Sequence, residues 1–151
     1  AGDFLLTKAF ETIANAPLPD ATRIKLIAVL AKRSGGDGLI VGQVRDLLHE
    51  KNDAMIIGKT ASLFAAAFEM GGIIAGVDKP SLEELGITLG MLYQLSDDRD
   101  DKDGMVSTLG YDAIRKRCDT LFAAFQSALP KNFQPVEELI EKWWLSKAQS
   151  H

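Results

Sequence analysis

Histidine and cysteine are nearly missing from this chain: His49, His151 and Cys118 are its whole supply in 151 residues. One cysteine excludes an intrachain disulfide and suits a reducing, cytoplasmic setting. A Cys/His zinc site or a nucleophile–histidine triad has almost nothing to draw on. An excess of positive charge is missing as well. Lysine and arginine number 17 against 21 acidic residues, a net charge of −4, which argues against nucleic acid or an anionic membrane as the main partner. No run alternates polar and apolar residues long enough for a convincing strand. No repeat, low-complexity tract or signal-peptide pattern is visible. The opening Ala1-Gly2-Asp3 lacks Met and starts directly on a helical pattern, as the middle of something longer would.

What is present is an ordinary globular composition, 46% hydrophobic and 25% charged, in a length that fits one domain, 1–151. Helical periodicity runs through it. Asp3 to Asn15 repeats Leu5, Leu6, Ala9, Phe10, Ile13 and Ala14 on one face, with Asp3 as N-cap, and Pro17 and Pro19 end it. Asp20 opens a second helix to about Arg33, with Ile24, Ile27, Ala28 and Leu30 turned inward. After the break Ser34-Gly-Gly-Asp-Gly38, Leu39 to Glu50 resumes around Val41, Val44 and Leu47. Asn52-Asp53 caps a long helix, Ala54 to about Gly76, rich in Ala and Gly and apolar nearly all round. The stretch Ala54–Val77 is long enough to span a bilayer. Lys59 and Glu69 interrupt it, however, and its small residues suit close packing, so it reads as a buried core helix without membrane insertion. Lys79-Pro80-Ser81 starts the next helix, with Ser81 as cap and Glu84 completing a capping box. Lys102-Asp-Gly104 ends that helix. Gly110–Leu129 and Gln134–Ala148 follow, the last docked by Trp143 and Trp144. The fold class expected is all-α, a helical bundle.

The residue pattern with most chemistry closes the helix that begins at Ser81. Asp97, Asp98 and Asp101 fall at i, i+1 and i+4, so at about 100° per residue they share one face, and Gln94 precedes them on it. Anions late in a helix oppose its dipole, and Asp97 with Asp101 is a like-charge pair. The arrangement asks for a cation. Oxygen-only ligands suit Mg²⁺, which keeps waters and takes one or two carboxylates plus substrate phosphate; a solvated acidic helix end would read the same way. Lys59 and Thr60, an ammonium beside a hydroxyl in an apolar helix, form a second point that could meet a phosphate oxygen or simply reach solvent. Gly42-Gln43 with Asp46 is a third, where packing and solvated polar groups are the plainer explanation.

Taken together and in order, these residues resemble the polyprenyl synthetase family, the trans-isoprenyl diphosphate synthases. Ala1-Gly2-Asp3 with Leu5, Leu6, Ala9 and Phe10 is similar to the helix that follows the family's first Asp-rich motif. Gly42-Gln43 with Asp46-Leu47 looks like its GQ..DL motif. Lys59-Thr60-Ala61-Ser62-Leu63-Phe64 followed by Gly71-Gly72 and Ala75-Gly76 is like its KT-A-LF segment. Tyr93-Gln94 and Asp97-Asp98-Arg99-Asp100-Asp101 match its second Asp-rich motif, with Tyr where Phe is usual. The resemblance implies an isoprenoid synthase bundle lacking its N-terminal helices, a Mg²⁺-dependent transferase of isoprenoid biosynthesis such as a geranyl or farnesyl diphosphate synthase, and a homodimer. It implies that dimethylallyl or geranyl diphosphate ionises and condenses with isopentenyl diphosphate. Asp97, Asp98 and Asp101 would hold Mg²⁺. Lys59, Gln94 and Gln43 would bind substrate, and Lys59, Thr60 and Gln94 would act in catalysis.

The chain departs from the family in three places. The first DDxxD, the paired arginines and the isopentenyl-site residues are absent from these 151 residues, so the polypeptide alone is expected to be inactive. Gln43 to Lys59 is roughly two helical turns tighter than the family's spacing. The Gly-and-Lys-rich loop after Asp101 is reduced to Lys102-Asp-Gly-Met-Val. A non-catalytic regulatory subunit of a prenyl synthase and a degenerate helical bundle are the alternative readings.

Overall fold

Apolar spacing of three and four residues becomes helix throughout the computed structural model, which describes residues 1–77, 80–130 and 133–148. The order is α1 (Gly2–Ala14), α2 (Asp20–Ser34), α3 (Leu39–Leu47), α4 (Asp53–Ile56), a π-helical turn (Ile57–Ala61), α5 (Ser62–Ala75), α6 (Pro80–Asp101), α7 (Val106–Leu109), α8 (Tyr111–Ala128) and α9 (Gln134–Ala148). No strand occurs among the described residues. The all-α expectation holds.

The core is built on α6. Leu82, Leu85, Leu89, Leu92 and Leu95 repeat at helical spacing and are all buried, so one face of the helix leaves water along its whole length. Ile56 and Ala61 meet it from one side, and Ile114, Cys118 and Phe125 of α8 from the other. Burial pushes the Cys118 thiol pKa up, so it packs as a small neutral hydrophobe. Small residues set the helix crossings. A Cβ on Gly86 would lie 2.7 Å from the backbone of Ala65, and one on Gly90 2.7 Å from the Ala61 Cβ. α3 crosses the π turn in the same way, since a Cβ on Gly58 would reach the Gly42 Cα at 2.7 Å.

Several boundaries differ from those expected. The central helix begins at Asp53, where Asn52 Oδ1 accepts from Met55 N at 2.9 Å, as its cap role requires. It is interrupted by the π turn and ends at Ala75. There Gly76, at φ 69°, lets Val77 N reach Gly72 O and Gly76 N reach Ile73 O, a Schellman closure. The segment Asp53–Ala75 is long and apolar enough to cross a membrane, and only 33% of its apolar window is buried. Ile56, Ala61, Ala65 and Ala66 face the bundle while Ile57, Leu63 and Ile74 are exposed, so the helix expected to be buried all round is buried along one side. The third helix stops at Leu47 rather than Glu50, because His49 turns to φ 60°. The acidic helix starts at Pro80, a residue suited to the first helical position. Ser81 is therefore inside the first turn and not the cap, and Lys79 falls outside the described residues. Likewise Asp3 lies within the first turn of α1, behind Ala1.

The inward face of α2 is also rotated from the one expected. Leu26 and Leu30 are buried while Ile24 is 66% exposed and Ala28 is exposed too, a rotation that also brings Arg33, one turn further on, to Glu69 at 3.1 Å and Glu83 at 2.6 Å. In α1 no residue is buried, and Phe4 and Leu5 remain 69% and 65% exposed. At the other end Trp143 stacks on Tyr93 and Trp144 on Phe122, at 5.9 and 5.1 Å, which docks α9 as expected.

The two kinds of glycine in these helices make opposite predictions. Gly42→Ala would drive a Cβ into the backbone of Lys59 and should lower the unfolding free energy by about 2 kcal/mol or more. Gly71→Ala meets nothing within 4 Å and should raise it by up to about 1 kcal/mol through helix propensity. Urea unfolding of both variants measures the difference.

Candidate functional site

The Gly42–Gly58 crossing sets the site. With no side chain between the two backbones, α3 lies directly on the π turn, and Asp46 comes to rest beside Lys59, Nζ to Oδ2 2.7 Å. A π turn carries one extra residue per turn, and such turns recur at functional sites. Here it presents both Lys59 and Thr60 toward the end of α6. Thr60 Oγ1 donates to Gln94 Oε1 at 2.6 Å, and Gln94 Nε2 donates to Asp98 Oδ1 at 2.8 Å. Asp98 Oδ2 accepts from Met105 N at 2.8 Å. One hydrogen-bonded line thus runs from the central helix through Gln94 to the acidic helix end and its following turn.

Beside that line is a cavity of about 230 Å³, lined by Asp46, Met55, Lys59, Gln94, Asp97, Asp98, Asp101, Asp103 and Gly104. Five residues singled out from sequence, Lys59, Gln94, Asp97, Asp98 and Asp101, therefore share one wall-to-wall space, and Thr60 joins through Gln94. Gln43 does not. It is exposed on α3 and absent from the lining. Asp46 is the acidic partner that sequence reasoning left as a solvated polar group; its position three residues after Gln43 was the available signal. Gly104, expected only to end the acidic helix, also lines the cavity. Its φ of 57° and the lack of a Cβ let the turn close onto the Asp98 carboxylate. A larger hollow of about 540 Å³ lies between α2 and α5, but among the described residues it gathers only Lys25 and Glu69 as charged groups.

The donor set is oxygen-only, which fits a hard cation and not zinc. Among the described residues, no three Asp, Glu, His or Cys side chains converge on one point. The cause is local: Asp98, 9% exposed, already has both carboxylate oxygens engaged by Gln94 and Met105, while Asp101 lies at the exposed rim of the cavity. One or two carboxylates with waters and phosphate oxygens is nonetheless how Mg²⁺ is ordinarily held, so the residues fit that ion and no dedicated protein cage.

A helical bundle with an acidic helix end facing a lysine across a cavity is the architecture of an isoprenoid synthase, and comparison bears this out. A structure of a synthase of farnesyl and geranylfarnesyl diphosphate (FPP/GFPP) from Zymomonas mobilis is 28% identical. It superposes with a TM-score of 0.75 over 85% of this chain and 52% of its own. The chain belongs to the polyprenyl synthetase family, whose model matches residues 1–141. Farnesyl diphosphate synthase of Micrococcus luteus is 33% identical over 91% of this chain and 57% of its own length. Geranylgeranyl diphosphate synthase of Cereibacter sphaeroides is 37% identical over 72% and 39%. The chain spans about half the length of the curated relatives it matches. The alignment with the Micrococcus protein runs for 167 residues, more than the 151 available here. That relative therefore carries internal residues with no counterpart in this chain, as the short spacings within it lead one to expect.

The hydrogen-bonded line predicts unequal effects for two neighbouring aspartates. Asp98→Ala strips acceptors from Gln94 and from a buried backbone N–H and should cost about 2 kcal/mol of stability. Asp101→Ala removes an exposed anion from a helix end that disfavours it, and should leave stability unchanged within error. Thermal unfolding of the two variants provides the check.

Proposed function

We propose that this chain is the part of a short-chain isoprenyl diphosphate synthase that receives the diphosphate of the allylic substrate. The observation that carries the reading is the shared cavity. Lys59 of the π turn, Asp46 of α3 and Gln94, Asp97, Asp98 and Asp101 of α6 line it together, with Thr60 joined through Gln94.

In this reading the allylic substrate is dimethylallyl or geranyl diphosphate. Its carbon–oxygen bond breaks, isopentenyl diphosphate attacks the allylic cation, pyrophosphate departs and a proton is lost. Lys59 meets a diphosphate oxygen, exchanging part of its contact with Asp46 for a group of higher negative charge. Asp97, Asp98 and Asp101 would hold magnesium, with Asp97 the principal ligand and Asp98 offering an oxygen it shares with Gln94 or Met105. Bound there, the metal would neutralise charge gathering on the leaving group. Gln94 is held by Thr60 on one side and Asp98 on the other, so its carbonyl dipole is already aimed and needs no reorganisation as the cation develops. Amide and hydroxyl oxygens stabilise such a cation while being poor targets for alkylation. The farnesyl and geranylgeranyl products of the two relatives differ, so the likeness leaves product length open.

Two further parts of the reading rest on composition and exposure. The apolar stripe of α1, with Phe4 and Leu5 in water, suits a second copy of the chain and hence a homodimer. The lone cysteine, buried and unpaired, suits the cytoplasm. A second reading, a non-catalytic subunit acting on a partner synthase, is favoured by Asp98, whose two carboxylate oxygens are already bonded within the protein.

Titration calorimetry with Mg²⁺ and a bisphosphonate tests the site. Binding of the bisphosphonate should require Mg²⁺, and Lys59→Ala should weaken it about tenfold, or about 1.4 kcal/mol. Absence of any Mg²⁺-dependent binding would leave only a structural bundle. In a condensation assay the 151-residue polypeptide by itself should show no turnover; activity appearing, or a partner synthase changing rate on its addition, would choose between the two readings.

A further inference from the structure

Asp100 lies inside the acidic helix end yet does not line the cavity. Its carboxylate is 17% exposed and gripped from two sides. Oδ1 accepts from Arg99 Nε and Nη2 at 3.1 and 2.8 Å, and Oδ2 accepts from Lys147 Nζ at 2.7 Å. Arg99 is itself buried, with its guanidinium 5.7 Å from the Trp144 ring. Two turns earlier, Tyr93 stacks on Trp143 with an interplanar angle of 19°. At about 100° per residue, Tyr93 and Asp100 stand within about 20° of one another, while Asp98 is about 160° away from Asp100. Helix α9 therefore touches α6 on the side opposite Asp98, at two heights that bracket Gln94, Asp97 and Asp98.

We propose that α9 is a clamp that positions the cation-binding cluster, with Lys147 and Asp100 as its positioning residues. The proposal rests on the reading of the cavity as a magnesium–diphosphate site. Four aspartates in five residues sit where the helix dipole is negative, and Asp97 repels Asp101. The last carbonyls of the helix also lack intrahelical donors. Such an end frays unless cations oppose it, and fraying dissolves the i, i+1, i+4 alignment of the ligands. Among the described residues, Arg99 pairs ionically with its own neighbour in sequence and meets α9 through the Trp144 ring face, so its ion pair by itself ties nothing to the bundle. Lys147 comes from another helix, and its bond anchors the final turn. The hydrogen bond to Asp100 holds the Lys147 pKa above its usual value, and Asp97 adds to the shift. A raised lysine pKa means the pair is intact at neutral pH and is lost only as pH climbs past 10.5.

Two measurements on the full chain test this. Amide exchange across 97–103, without metal, should quicken about threefold to fivefold in Lys147→Gln, in Asp100→Asn and in the double variant, as loss of a part-buried ion pair allows. Mn²⁺ affinity in the presence of inorganic pyrophosphate should fall by a similar factor in all three. Lys147→Arg should restore both. A bare charge effect gives a different pattern: Lys147→Gln binds Mn²⁺ more tightly, Asp100→Asn less, and the double variant as the parent chain does. That pattern, or unchanged exchange, would overturn the clamp. If the unaltered chain binds no Mn²⁺ with pyrophosphate, the reading of the cavity fails, and the exchange rates still decide whether α9 braces the helix.

Discussion

Contact between two backbones, Gly42 on Gly58, is the constraint on which the site depends. Any side chain at either position would push α3 away from the π turn. Lys59 would then lose Asp46, and the cavity would lose one of its walls. The same device recurs where Gly86 and Gly90 meet Ala65 and Ala61, so the central helix is seated on both neighbours by the absence of side chains. This is close packing in its strict sense, with no room for one added methyl group. Polar residues can then be held in register over three helices, because the backbones that carry them cannot slide.

Electrostatics imposes the second requirement. An acidic cluster at a helix C-terminus is unfavourable on its own, and this fold answers it from two directions. Lys59 stands across the cavity, part-exposed and paired with Asp46. Arg99 and Lys147 stand on the far side, engaged with Asp100. Between them the carboxylates of Asp97 and Asp101 remain available, while Asp98 doubles as the anchor of the turn that follows. On the proposed reading the helix end is kept ordered without being neutralised, which is the state a site for a divalent cation needs.

The exposed apolar faces complete the picture. Ile40, Val44, Leu47 and Leu48 form a stripe along α3, each about half exposed or more, and α1 buries none of its residues. Stripes of this size on an isolated soluble surface are uncommon and mark places where more protein packs. That agrees with a chain spanning about half the length of its relatives.

Much of this was legible in the residues alone. Helical spacing sufficed for the all-α class, for the acidic face at Asp97, Asp98 and Asp101, and for Trp143 and Trp144 as docking groups, because each is a property of one helix and its period. The order of short motifs carried the family. What the chain could not disclose is which faces meet. The rotation of α2 buries Leu26 and Leu30 and brings Arg33 to Glu69 and Glu83, partners 36 and 50 positions away. The π turn, the exclusion of Gln43 from the cavity and the inclusion of Asp46 all follow from a crossing of two glycines that local pattern cannot register. Local sequence determined what each helix could bury and which charges it carried. Tertiary structure decided which of those charges face one another, since that depends on distances between segments that no spacing along the chain encodes.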